Sequence, residues 1–196
     1  MKKIFSLILA LALMLALTAC SKPEGSEAST VGSVPESTTE SRPLREGAYV
    51  FNDAIEFETY DCSLYEDPNA GIPIMHFGPE DAYASLMFLI PQGIGTEIDS
   101  TIIKQIFEAS LERMYEGYDS TITVYDVTQV TIDNNTVWTV SADAELSGEE
   151  TFRYIYWICI PNDGNIVYQW VFSTPESSYE TNYPQVQAIV DSIRFI

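Results

Sequence analysis

By type and spacing, few residues in this 196-residue chain can carry chemistry. It holds one histidine, His76, and three cysteines, Cys20, Cys62 and Cys159. A multi-histidine zinc site cannot be assembled from that set, and no H-E-x-x-H, C-x-x-C, G-x-G-x-x-G, P-loop or G-x-S-x-G pattern occurs. A nucleophilic triad would have to recruit His76, which stands in the apolar run Ile74-Met75-His76-Phe77 and reads as a packing histidine at a strand end. Outside the cytoplasm Cys62 and Cys159 could join in a disulfide; alternatively Cys159, in an apolar run, packs as a small buried thiol.

Carboxylates offer the other chemistry. Glu108, Glu112 and Glu116 follow an i, i+4 row, Glu56, Glu58 and Asp61 gather near one strand end, and Asp133 and Asp163 occupy turns. Such oxygens can ligate Ca²⁺, and two acids at the right separation can hydrolyse a glycoside. None has EF-hand spacing, and Lys104 precedes Glu108 by four residues, so the helical row reads as a solvated face. Twelve Tyr and three Trp could stack on sugars or peptides. Trp157 and Trp170 fall in doubly apolar runs and are expected in a core, which leaves Trp138, Tyr65, Tyr179 and Tyr183 for exposed contacts. Asn134-Asn135-Thr136 matches a glycosylation sequon, to which no glycan is assigned. No catalytic residue, metal site or cofactor is assigned.

The elements that must position these groups begin near residue 49. The spacing predicts a helix over residues 101–116, capped by Asp99 or Ser100 and closed by Gly117, with Ile102, Ile103, Ile106, Phe107, Leu111, Met114 and Tyr118 on one face. Four strands are expected after it, over residues 121–132, 136–144, 151–160 and 166–173, with turns at Asp133-Asn134-Asn135 and Pro161-Asn162-Asp163-Gly164-Asn165. The third is apolar on both faces and therefore central, so the meander needs helices on both sides. A second helix is expected to start near Pro184 and to carry the stripe Val186, Ile189, Val190 and Ile193. Residues 46–60 and 84–90 are further strands, around an irregular loop at Asp67-Pro68-Asn69-Ala70-Gly71. The fold class is α+β: an antiparallel, meander-rich sheet flanked by helices on both faces, in one globular domain over residues 45–196.

The N-terminus has a different character. Lys2 and Lys3 precede residues 4–17, in which Ser6 is the only polar residue; 14 residues of helix at ~1.5 Å each reach ~21 Å, short of a ~30 Å hydrocarbon core, so an export signal fits over residues 1–19. Leu17-Thr18-Ala19-Cys20 resembles the lipobox of bacterial lipoproteins. That resemblance implies cleavage before Cys20, lipid attachment at its thiol, and a membrane partner held through that lipid. Residues 20–44, rich in Ser, Thr, Glu, Pro and Gly, read as a flexible tether.

Charge closes off one class of partner. Lys+Arg 9 against Asp+Glu 29 give −20, and no basic stripe exists to neutralise phosphates, which excludes nucleic acid. Four Glu lie in the tether, so the domain holds the other 25 acids against five cations: Arg45, Lys104, Arg113, Arg153 and Arg194.

The aromatic strand at residues 166–172, followed by Val186-Gln187-Ala188-Ile189-Val190-Asp191-Ser192-Ile193-Arg194-Phe195, is similar to the close of PsbP-like α/β/α sandwich domains found in small bacterial lipoproteins. The resemblance implies an accessory or binding protein without a common catalytic site. The expected function is therefore a lipid-anchored extracytoplasmic domain of the bacterial envelope that binds a protein, peptide or small ligand. An envelope hydrolase using a carboxylate pair and a Ca²⁺-dependent adhesion or glycan-binding module are the alternatives.

Overall fold

A computed structural model describes residues 43–60, 62–67, 72–78, 84–90, 98–161 and 166–196. The signal expected over residues 1–19, Cys20 and most of the expected tether lie outside these, as do Asp61, Asp163 and the loop at 68–71. Among the described residues no helix is long and apolar enough to cross a membrane.

Among the described residues, two antiparallel sheets and two helices make up the fold. The larger sheet has eight strands: β3 (Ser63–Asp67), β4 (Ile72–Phe77), β5 (Ala84–Leu89), β10 (Tyr168–Pro175), β9 (Phe152–Cys159), β8 (Asn135–Leu146) and β6 (Ser120–Val124) in that order, with β7 (Thr128–Ile132) also on β8. The smaller sheet orders β1 (Tyr49–Phe51), β2 (Ile55–Phe57) and β11 (Arg194–Phe195). Helix α1 spans Ser100–Met114 and α2 spans Glu176–Asp191.

The alternation of side chains along β9 decides the layers. Phe152, Tyr154, Tyr156 and Ile158 face α1, where they meet Ile103, Phe107, Leu111 and Met114. Ile155, Trp157 and Cys159 face the other way, with Trp170 and Phe172 of β10, toward Val186, Ile189 and Val190 of α2 and toward Phe51, Ile55 and Phe57 of the small sheet. Successive side chains on a strand point to opposite faces, so a strand apolar at every position is covered twice. The expected α+β class, with its antiparallel sheet and a helix on each face, is what the chain adopts. Phe57 stacks on Phe88 at 4.2 Å between centroids and 8°, and Phe88 continues onto Trp170 at 5.8 Å. The small sheet is thus docked on the large one by aromatic rings.

Helix α1 starts where its cap requires: Asp99 Oδ1 accepts the Ile102 N–H at 2.8 Å. Gly117 follows its end with φ +84°, a conformation that costs a side-chain-bearing residue dearly. Asp133 and Asn134 both take positive φ, 45° and 63°, and close the β7–β8 hairpin in two residues.

Four expectations are corrected. The strand expected over residues 121–132 is two strands, β6 and β7, which pair with opposite halves of the long β8 and break at residues 125–127. A break lets both halves follow a 12-residue strand whose twist a single straight partner would not track. The strand expected over residues 46–60 is the hairpin of β1 and β2, turned by Asn52 and Asp53 at φ 54° and 52°. Strands β3 and β4 were not expected as a pair, because β3 reads Ser-Leu-Tyr-Glu-Asp and β4 contains Pro73. Helix α2 begins at Glu176, well before Pro184, which lies inside it on the exposed side. Its start has no side-chain cap of its own; Glu150, from the β8–β9 turn, accepts the Ser177 N–H at 3.0 Å. A cap borrowed from across the chain leaves no local signature.

Candidate functional site

The acids disperse. Glu108 and Glu112 lie exposed along α1 and Glu116 exposed in the turn just past its end, and Asp133 accepts the Phe195 N–H through Oδ2 at 2.9 Å, which ties the β7–β8 turn to β11. Among the described residues no three of His, Cys, Asp or Glu lie close enough to hold a metal ion. Two carboxylates stand apart because arginines take them out of water: Glu56 and Asp143.

Glu56 sits in the middle of the small sheet, opposite Val50 on β1 and Arg194 on β11, and is 0% exposed. Its Oε1 accepts Arg45 Nε at 2.9 Å and lies 3.1 Å from Arg194 Nη1, while Oε2 accepts the Arg45 backbone N–H at 3.0 Å. Burial pushes its pKa up, but the hydrogen bonds from Arg45 and the two guanidinium charges outweigh burial and hold the carboxyl below its ordinary value. Arg45 also donates from Nη2 to Ser192 O at 2.6 Å and from Nη1 to Glu58 Oε1 at 3.3 Å. Ser192 Oγ accepts the Glu58 N–H at 2.9 Å and donates to Ile189 O at 2.7 Å. Arg194 Nη2 reaches Pro43 O at 3.3 Å. The first described residues, the β1–β2 hairpin and the C-terminal strand are therefore joined at one buried anion.

Asp143, on β8, faces Arg153 on β9 in direct register. Arg153 donates from Nε to Oδ1 at 2.9 Å and from Nη2 to Oδ2 at 3.3 Å, a two-pronged grip, and Tyr125 OH donates to Oδ2 at 2.7 Å. Burial acts to raise the Asp143 pKa; the hydrogen bonds from Arg153 and Tyr125 and the Arg153 charge lower it further than burial raises it. The same guanidinium lies 3.4 Å from Glu176 at the start of α2 and 4.8 Å from the Tyr179 ring, which stacks on Tyr183 at 5.0 Å. Tyr179 and Tyr183, expected as exposed contacts, instead pack half-buried against the α2-side core.

His76 lies in a polar row that crosses the sheet. The registers place Ser63, His76, Ser85, Ser173 and Tyr154 side by side on β3, β4, β5, β10 and β9, all on the α1 face. Ser85 and Ser173 are buried and share a hydrogen bond of 3.2 Å, and Tyr154 OH meets Tyr115 OH at 2.6 Å. Desolvation lowers the His76 pKa and keeps the half-buried ring neutral at pH 7.

The two cysteines sit far apart. Cys62 Sγ donates to Thr59 O at 2.7 Å just before β3, whereas Cys159 ends β9 four strands away. Strand spacings of ~4.8 Å separate them by roughly 19 Å across the sheet. A disulfide holds Cα atoms ~4.4–6.8 Å apart, so the Cys62–Cys159 bridge is not made in this fold.

Neither Glu56 nor Asp143 resembles a general acid, whose pKa must be raised toward neutrality, since both are displaced downward. Arg45, Arg153 and Arg194 are the functional-looking residues that sequence reasoning passed over. Their signal was scarcity: with five cations on a domain of 25 acids, each one is worth asking about.

No protein-family model matches the chain, and no curated protein matches it. Among solved structures, cyanobacterial PsbP (CyanoP) from Synechocystis sp. PCC 6803 is similar over 69% of this chain and 92% of that one, at 12% identity and a TM-score of 0.46. LpqN, involved in cell envelope biogenesis of Mycobacterium tuberculosis, is similar over 78% of this chain and 80% of that one, at 16% identity and a TM-score of 0.36.

Proposed function

We propose that the chain is a lipid-anchored, extracytoplasmic binding or accessory domain of the bacterial envelope, without catalytic activity of its own. The observation that carries this reading is the register of Lys2-Lys3, the apolar residues 4–17 and Leu17-Thr18-Ala19-Cys20. In such an N-terminus the thiol of Cys20 takes the lipid, and two or more acyl chains hold a protein stably where one does so only marginally. Residues 21–44 then space the domain from the membrane. The domain's dispersed acids and arginine-bound carboxylates support recognition over catalysis.

Palmitate labelling of the full chain in a bacterial host tests the anchor. Label is expected on the wild type and absent from Cys20→Ala, together with retention of the unprocessed signal. Label that persists in Cys20→Ala rejects the proposal.

A further inference from the structure

The two ends of the large sheet are finished differently. At one end the outer edge of β8 is occupied by both β6 and β7. At the other, β3 pairs with β4 on its inner side only, through Ser63↔His76 to Asp67↔Ile72, and no strand follows it in the sheet order among the described residues. An edge strand presents alternate N–H and C=O groups ready for another strand. The side chains add to this. Leu64 is 39% exposed and Tyr65 52%, one on each face of the strand, and Tyr60, just before it, is 53% exposed. On β7 the only large exposed apolar side chain is Val130, and β7 carries no charge.

From this we infer that β3 is a strand-addition site for an extended, cationic protein segment. Charge selects the occupant. Glu66 lies within β3 and Asp67 ends it, no ion pair among the described residues involves Glu66, and the domain carries 25 acids against five cations. Of those cations, Arg45, Arg153, Arg194 and Lys104 are already paired to acids elsewhere. A second copy fits poorly. Antiparallel pairing of two β3 strands about Tyr65 sets Glu66 opposite Leu64 and leaves the two Glu66 side chains as diagonal neighbours on one face, with no cation in either strand to offset them. A segment alternating Lys or Arg with apolar residues satisfies the backbone edge, covers Tyr65 with its apolar face, and pairs with Glu66 on the other.

The probe is a nonapeptide alternating Lys and Val, added to the full chain in detergent and followed by hydrogen exchange and by titration. Protection is expected at residues 63–67, and Glu66→Lys, an exposed change that leaves the core untouched, is expected to weaken binding at least tenfold. A Glu-Val peptide of the same length should bind at least tenfold more weakly than the Lys-Val one. Pro at Leu64 or at Tyr65 distinguishes the mode, because alternate N–H groups point outward: one of the two variants should abolish binding with the thermal transition retained. Protection elsewhere, equal binding of the acidic peptide, an unaffected Glu66→Lys, or a β3-mediated dimer in sedimentation that the peptide does not dissociate would each overturn the inference.

Discussion

Glu56 and Asp143 are both carboxylates removed from water in an acidic protein, yet they serve opposite scales of the fold. Asp143 is 14% exposed at its side chain and is held by its cross-strand neighbour Arg153 and by Tyr125, groups that β8, β9 and the β6–β7 loop bring together in any case. Glu56 is fully buried and is gripped by Arg45 and Arg194, which come from the two ends of the described chain. One pair decorates a register that the meander already sets. The other joins strands β1, β2 and β11, which at two and three residues are too short to hold together by their ladder hydrogen bonds alone.

Removing each anion separates the two roles. Glu56→Gln leaves two guanidinium groups facing a neutral amide in a buried site, and a loss of about 3–5 kcal/mol is expected, roughly 10 °C or more in Tm, read by urea and thermal denaturation. Exchange of the 43–57 and 192–196 amides should accelerate with it. A Glu56→Gln protein as stable as the wild type would show that aromatic docking through Phe57 and Phe88 alone holds the small sheet.

Acid should act through the same group. The folded pKa of Glu56 lies below its unfolded value, so its stabilisation is complete above the unfolded pKa of ~4.3 and is lost as pH falls through the folded one. Asp143 behaves likewise from ~3.9 downward. Wild-type stability is expected to decline below about pH 4.5, and Glu56→Gln should flatten that decline more than Asp143→Asn does. Equal flattening would erase the distinction between the two sites.

Asp143→Asn is expected to cost about 1.5–3 kcal/mol, the scale of a charge-assisted hydrogen bond, with the β8–β9 register intact by NMR. Smallest is Ser173→Ala, which strands the buried Ser85 hydroxyl at a cost of about 1 kcal/mol. The double variant with Ser85→Ala should recover most of that loss, since neither partner is then left unpaired. An additive double variant would mean the two hydroxyls do not act as a pair.

Much of the scaffold was legible in residue order, and the reasons are local. Asp99, the 3.6-residue period from Ile103 to Met114 and Gly117 announce α1 within the reach of a few bonds. The doubly apolar run at β9 announced a central strand, and Asp133-Asn134 announced the hairpin it makes. The start of α2 was hidden because its cap comes from Glu150 and its first turns pack through Tyr179 and Asn182 rather than through aliphatic residues. β3 was hidden because an exposed edge strand has no apolar face to show a period of two.

Of the candidate site, residue order showed only the ingredients: which acids exist, how few cations there are, and a lone histidine. Sequence by itself determined the acidic balance, the α+β class and the two-faced core, because each depends on composition or on neighbours a turn or a strand-step away. Only the tertiary structure decided that Glu56 would be the buried anion between Arg45 and Arg194, that His76 would stand in a row with Ser63, Ser85 and Ser173, and that β3 would be left at the edge. Those facts depend on which strand lies beside which, and pairing across a sheet joins residues that the chain itself keeps far apart.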